Sequence, residues 1–518
     1  MRVLKYILVF LFLMGFSLSH ASVKVDPKLF EFAENLTNEQ DTLRVLVLMD
    51  DKLDNSLLPN RYDKDEVIRF LKARTHNQWQ QVENALQNTN QLGKSIVIRK
   101  IYWVNSSFSA DVTPRGLKTL AYTMGIKKIY ANRAVFPEDD INPPLPVELP
   151  YDLKQIKMDL VMKDYPDITG KNIIIGHLDT GIELNHPALA NKVLVFFDNE
   201  KKIVAQAYDI QGHGTHTAGT IVGGDRTTNI FGMAPEASLV SSGPLGSYEG
   251  VLNGMEFFLQ VGNENGGALF PRLINNSWNC EAAPDVELFY KGITAWEAAG
   301  ILPVFSAGNS GPRPKSITTP HEHPSVLAVG SVGSAGLVSN FSSRGPGIFK
   351  GQETKKPDLS APGENIRSSY LDGQYTSISG TSMATPHVTG AAALLWQTNP
   401  KLTPVQVREI LTVTTEAVDI NGASTTPGSW NANYGYGKLN VYEAIKMAIK
   451  TREINPQPEP LMPFGIGDTS RVLRFTSPDD IMAYSIVRMK PEPLIKTDFQ
   501  YDQSFDGEGW VTPAEIWE

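Results

Sequence analysis

One stretch of this 518-residue chain is apolar almost all round: residues 383–396, with Ala384, Val388, Ala391, Ala392, Ala393, Leu394, Leu395 and Trp396. A helix without a polar face has to lie inside a core, so the rest of the chain must be layered around it. The run is entered through a small polar turn, Ser379-Gly380-Thr381-Ser382. A hydroxyl at that place sits at the positive end of the helix dipole, beside backbone N–H groups that lack intrahelical partners. Negative charge developing next to Ser382 would be stabilised there, which acyl transfer requires. The plainer role for Ser382 is that of an N-cap, because serine is common at helix starts.

Ahead of this helix, short apolar runs alternate with helical patterns. Residues 172–177, 238–242, 273–278, 301–306 and 325–332 read as buried strands; 213–222, 251–261 and 286–299 read as helices. That alternation predicts an α/β fold with a doubly wound, mainly parallel sheet. Further upstream the pattern changes. Residues 43–49, 95–102, 107–112 and 127–130 read as strands, with a helix through Val67, Phe70, Leu71, Trp79, Val82 and Leu86 and a second one capped by Thr113 with Pro114 at its first position. This is a small α+β domain in β-α-β-β-α-β order.

Polar residues gather where the predicted strands end. Asp179 follows a strand in Ile175-Gly176-His177-Leu178-Asp179-Thr180-Gly181. His213 opens a helix in Gly212-His213-Gly214-Thr215-His216, its glycine neighbours allowing close backbone approach. Asn309 ends Ser306-Ala307-Gly308-Asn309. Together with Gly380-Thr381-Ser382-Met383-Ala384, these motifs resemble those of the subtilisin family of serine proteases, in the same Asp, His, Ser order. The resemblance spans roughly residues 147–450. It implies a serine endopeptidase in which Ser382 attacks, His213 takes its proton and Asp179 orients His213. Asn309 would donate to the oxyanion, and Ser277, Trp278 and Asn279 would wall the pocket for the residue before the scissile bond, although Trp278 fits a core position equally well. His216, one helical turn from His213, and His387 are expected to be structural. The segment between Leu239 and Asn253 is shorter than in familiar secreted members, which bears on the outer subsites.

The resemblance also orders the domains: a signal peptide over 1–21, an inhibitor-like propeptide over 40–136, a linker over 137–150, the catalytic domain over 151–450 and a C-terminal tail of unassigned role over 451–518. Arg2 and Lys5 precede an apolar run over 6–18 that is too short to span a bilayer, with small residues near Ala21. The product is expected to be secreted, periplasmic or on the cell surface. The linker carries Pro137, Glu138, Asp139, Asp140, Pro143, Pro144 and Pro146; self-cleavage is expected in or near it. Partners are protein or peptide substrates and the chain's own propeptide acting as an intramolecular inhibitor. The rival reading is a catalytically silent protein that keeps the scaffold to bind peptides.

Composition narrows the field further. A net charge of −9 and a pI near 5.6 argue against nucleic-acid partners, and no second run is long enough for a transmembrane segment. With Cys280 the only cysteine, no intrachain disulfide forms; the thiol reads as a small buried hydrophobe or a redox-sensitive group. The chemistry needs no cofactor. A structural calcium is not supported by the sequence: residues 224–229 correspond to a calcium loop in many relatives, but Arg226 puts a positive charge where an oxygen ligand is wanted.

Overall fold

The computed structural model describes residues 24–26, 29, 41–50, 63–132, 135–136, 140–142, 149–261, 268–280 and 287–454. The expected signal peptide, most of the linker and nearly all of the C-terminal tail lie outside the described residues.

The N-terminal part contains β1 (Lys24–Val25), β2 (Leu43–Met49), α1 (Lys64–Asn88), β3 (Ile96–Tyr102), β4 (Ser107–Val112), α2 (Pro114–Ala121) and β5 (Ile126–Ala131). Its five strands form one sheet in the order β1-β5-β2-β4-β3. Local chemistry sets the helix starts. The Asp63 side chain accepts from the N–H groups of Asp65 and Glu66, and the Thr113 side chain accepts from that of Gly116. The pairing of Lys24–Val25 alongside β5 lay outside the 40–136 stretch read from sequence; two residues carry too little periodicity to be seen.

Two short strands follow, β6 (Val135–Phe136) and β7 (Asp140–Asn142), then α3 (Tyr151–Gln155) and α4 (Met158–Asp164). The main body continues with β8 (Ile174–Leu178), β9 (Val193–Asp198), β10 (Ile203–Ala205), α5 (His213–Val222), β11 (Ser238–Gly243), α6 (Tyr248–Gln260), β12 (Leu273–Asn276), β13 (Asn279–Cys280), α7 (Glu287–Ala298), β14 (Leu302–Ser306) and β15 (Leu327–Val332). After it come the hairpin of β16 (Gly347–Phe349) and β17 (Gln352–Thr354), then β18 (Leu359–Pro362), β19 (Ile366–Ser369), β20 (Tyr375–Ser379), α8 (Thr381–Thr398), α9 (Pro404–Val413) and α10 (Val441–Ile454). Helix α6 starts at Tyr248, earlier than its apolar spacing indicates, because the Ser247 hydroxyl accepts from the Gly250 N–H.

Eight strands make the central sheet, in the order β10-β9-β11-β8-β12-β14-β15-β18. All neighbours run parallel except β10 against β9. Side chains alternate between two cores, as strand geometry demands. Ile175, Leu239, Leu273, Val304 and Val329 face one core with α5, α8, α9 and α10. Leu178, Val240, Ile274, Phe305 and Ala328 face the other, with α6, α7 and residues of the N-terminal sheet. The sheet is doubly wound.

Helix α8 runs through the first core with nearly every residue buried. Its packing is close enough that a Cβ on Gly390 would stand 2.2 Å from Met233 Cβ. Gly390→Ala should therefore overpack the α8 contact and cost about 1–3 kcal/mol. Urea unfolding in a Ser382→Ala background, where self-digestion is removed, measures it; an unchanged midpoint would contradict the packing argument.

Candidate active site

The named polar residues lie at the C-terminal ends of the parallel strands, where open α/β sheets place their sites. Asp179 directly follows β8. His213 is the first residue of α5, and Asn309 lies in the loop after β14. Ser382 is the second residue of α8, whose N-cap is Gly380. The N-cap role considered for Ser382 is thus filled by its neighbour, and its hydroxyl donates to the Ser277 carbonyl at 3.3 Å.

Asp179 is fully buried, and both of its oxygens are served. Oδ1 accepts from His213 Nδ1 at 2.6 Å and from the Thr180 N–H at 2.7 Å; Oδ2 accepts from the Thr217 hydroxyl at 3.0 Å. Burial pushes the Asp179 carboxyl up, but the charge and hydrogen bond of His213 outweigh it and hold the group below the usual carboxylate range. The glycine beside His213 is needed for the approach: a Cβ on Gly214 would lie 2.1 Å from the Gly181 carbonyl oxygen. Helix α5 has no side-chain cap at Gly212. Asp209 serves instead, accepting from the N–H groups of Gln211, Gly212 and Thr215.

Asn309 is oriented by the residue before Ser382. Its Oδ1 accepts from both the N–H of Thr381, at 2.9 Å, and the Thr381 hydroxyl, at 2.7 Å. The amide oxygen is thereby fixed towards Thr381. The Ser382 N–H belongs to the first turn of α8, where no intrahelical carbonyl is in reach.

Of the three expected pocket residues, Ser277 has a second task. Pro386 lies inside α8 and has no N–H for the carbonyl four residues back. That carbonyl belongs to Ser382, and the Ser277 hydroxyl donates to it at 3.0 Å. Trp278 is buried. Its side chain is core, edge-on to Phe289 and Phe305, and its carbonyl accepts from His321 Nε2 at 2.8 Å. Asn279 and Cys280 form β13, and both are buried.

His216 and His387 find their partners away from Asp179 and Ser382. His216 Nε2 donates to the carbonyls of Ile366 and Thr376. His387 lies between the Met383 carbonyl and Asp152. Sequence reading passed over Asp209, Thr217, His321 and Asp152. Thr217 was within reach, since residues four apart on α5 share a face with His213, and Asp209 caps the helix that starts four residues later; His321 and Asp152 meet Trp278 and His387 only through tertiary folding.

Residues 224–230 do not suit a calcium ion. The Arg226 guanidinium donates to the Met233 carbonyl at 2.6 Å, and burial pushes it down to about 10. Asp225 is occupied by the N–H groups of Thr227 and Thr228. Among the described residues, no cluster of three or more His, Cys, Asp or Glu side chains is placed to hold a metal, and no helix is long and apolar enough to cross a membrane.

A parallel sheet that brings a buried carboxylate, an imidazole and a serine at a helix start to one edge is the chassis of a serine hydrolase. Comparison with known proteins sharpens this. Residues 170–437 match the model of the subtilase family. The chain is 36% identical over 306 residues to bacillopeptidase F of Bacillus subtilis, a match covering 53% of this chain but 21% of that protein. It is 31% identical over 423 residues to serine protease AprX of the same organism, covering 75% of this chain and 89% of that one. With subtilisin DY of Bacillus licheniformis it shares 34% identity over 307 residues, 58% of this chain and 99% of the relative. The chain belongs to the subtilase family and is a subtilisin-like serine endopeptidase.

Two expectations follow. Removing the half-buried guanidinium and its bond to the Met233 carbonyl with Arg226→Ala should cost about 1–3 kcal/mol; an unchanged urea midpoint would show that it does not hold the loop. Burial holds His216 down to about 3 and His321 down to about 4, against about 6.5 in the unfolded chain. The unfolded state therefore binds more protons in that interval, so stability is lost as pH falls from about 6.5 towards 4, by on the order of 3 kcal/mol per histidine. Urea midpoints of the Ser382→Ala protein between pH 8 and 4.5 test this, and a flat profile would refute it.

Proposed function

We propose that this endopeptidase works through Ser382, His213 and Asp179 and is made as a zymogen that cuts itself. His213 takes the Ser382 proton as the hydroxyl attacks the substrate carbonyl. Asp179 keeps His213 in the tautomer with hydrogen on Nδ1 and stabilises the imidazolium. The tetrahedral oxyanion is met by the Asn309 side-chain amide and the Ser382 N–H. His213 then protonates the leaving amine, and water hydrolyses the acyl-enzyme by the same route. The observation that carries this reading is the 2.6 Å bond from His213 Nδ1 to a fully buried Asp179.

Self-processing is supported by the strands that flank the cleft. Strand β6 pairs antiparallel with β13, Phe136 opposite Asn279 and Val135 opposite Cys280. Strand β7 pairs antiparallel with β20, Asp140 opposite Ser379 and Ile141 opposite Ile378. One end of the 135–142 stretch is thus held on the Ser277–Cys280 side and the other on the edge leading to Ser382. Such strand addition is a general way to hold an extended peptide. The bond cut in maturation is assigned to the chain between Phe136 and Asp140.

The preceding domain, residues 40–136, is read as the inhibitory propeptide. It rests on the acidic side of α6 and α7. Glu249 accepts from Tyr102 and Arg44, Glu256 accepts from the Trp103 N–H at 2.7 Å and pairs with Lys100, and Glu287 pairs with Lys127. Residues 151–450 are the mature catalytic domain, exported by way of residues 1–21; substrates are proteins or peptides.

Intact mass after expression tests the proposal. Wild type should yield a mature chain beginning between residues 137 and 140, and Ser382→Ala should keep that segment. If both proteins keep it and neither is labelled by an active-site serine phosphonate, a silent peptide-binding protein becomes the better description.

A further inference from the structure

Behind Asp179 lies a second histidine that the triad does not use. His177 stands two residues earlier on β8, so its side chain shares a face with that of Asp179. It is fully buried. Its Nε2 is 2.9 Å from the Thr217 hydroxyl and 3.9 Å from Asp179 Oδ2; its Nδ1 is 3.1 Å from the Ser241 hydroxyl. Ser241 is its direct partner across the β11–β8 ladder. Thr217 lies one turn beyond His213 on α5.

Proton counting fixes the direction of this chain. The Thr217 hydroxyl has one hydrogen and three oxygen or nitrogen neighbours: Asp179 Oδ2 at 3.0 Å, the Gly214 carbonyl at 3.2 Å and His177 Nε2. An ionised Asp179 can only accept. If His177 carries its hydrogen on Nε2, it donates to the Thr217 oxygen and leaves the Thr217 hydrogen for Asp179. With the hydrogen on Nδ1 instead, Nε2 would draw the Thr217 hydrogen to itself and leave Oδ2 bare. The first tautomer turns an N–H towards the carboxylate, and Ser241 completes it by donating to Nδ1. Burial pushes the His177 imidazole down, against the pull of Asp179 and Asp209, so it stays neutral.

We propose that His177 is a positioning residue for the Ser382–His213–Asp179 reaction, acting through Thr217. It holds the Thr217 hydroxyl as a donor to Asp179 Oδ2. The carboxylate is thereby pinned at both oxygens, with Oδ1 facing His213. Without His177, Thr217 turns to the Gly214 carbonyl, the ordinary back-bond of a helical threonine, and Asp179 is free to rotate. The proposal rests on the triad reading above.

The test uses the self-matured enzyme, with active sites counted by phosphonate titration and rates measured on one peptide p-nitroanilide that wild type hydrolyses. His177→Val should lower kcat roughly tenfold with KM within about twofold, the size expected for losing one hydrogen bond to a charged group. His177→Gln, whose amide can still donate to Thr217, should recover most of the rate. Thr217→Val should match His177→Val, and the double variant should be no slower than either, because the two act as one unit. Thr217→Val is close in shape to wild type and reads the same link should His177→Val fail to fold. Wild-type kcat in Thr217→Val, or no recovery in His177→Gln, overturns the proposal. Asp179→Asn separates the two layers: if it keeps wild-type kcat, the triad reading itself falls, whereas a large loss there with an unaffected Thr217→Val removes the relay alone.

Discussion

The tie between Ser277 and Ser382 holds the site together. A proline inside α8 leaves the Ser382 carbonyl without its helical N–H, and a buried unpaired carbonyl is costly. The hydroxyl of Ser277 takes that carbonyl, while the Ser382 hydroxyl reaches back to the Ser277 carbonyl. The strand end that borders the cleft and the start of the central helix are thus fastened by a reciprocal pair of bonds. Around this pair the neighbouring polar groups fall into order. Asn275 donates to the Ser277 hydroxyl and accepts from Thr389, one helical stretch further along α8.

That polar layer lies against a core made mostly of Ala, Val, Leu and Ile. It survives there because its members are satisfied by one another; a half-satisfied network would be worse than an apolar one. Asp179 receives three donors, and Asn309 receives two from Thr381 alone. Each bond also restricts orientation, so the groups proposed for catalysis are held in place before any substrate arrives. The neutral histidines around them, His177 and His216, follow from the same burial.

The N-terminal domain meets the main body through charge as well as apolar contact. Arg44, Lys100 and Lys127 face Glu249, Glu256 and Glu287, while Leu46, Leu48 and Tyr102 enter the core shared with α6 and α7. Burial pushes the Glu256 carboxyl up in spite of the Lys100 charge and its hydrogen bonds. A domain so attached brings β6 and β7 to the two edges of the cleft, so the proposed inhibition is a matter of chain connectivity and strand addition.

Much of this protein was legible before any coordinates. The all-round apolar run announced a buried helix, because no other environment accepts one, and period-two and period-3.6 patterns announced the strands and helices on either side. Asp179, His213, Asn309 and Ser382 stood out because the short motifs around them, in that chain order, resemble those of the subtilisin family. Local sequence cannot say which groups far apart in the chain will touch, since that depends on strand order and helix packing. Only the folded chain aligned Ser241 with His177 across a ladder, set the Arg226 guanidinium on the Met233 carbonyl and gave the Pro386-freed carbonyl to Ser277. The sequence by itself determined the elements and the chemical types at the site. The tertiary structure decided their hydrogen-bond partners, because burial leaves each polar group no water and so only the neighbours that topology supplies.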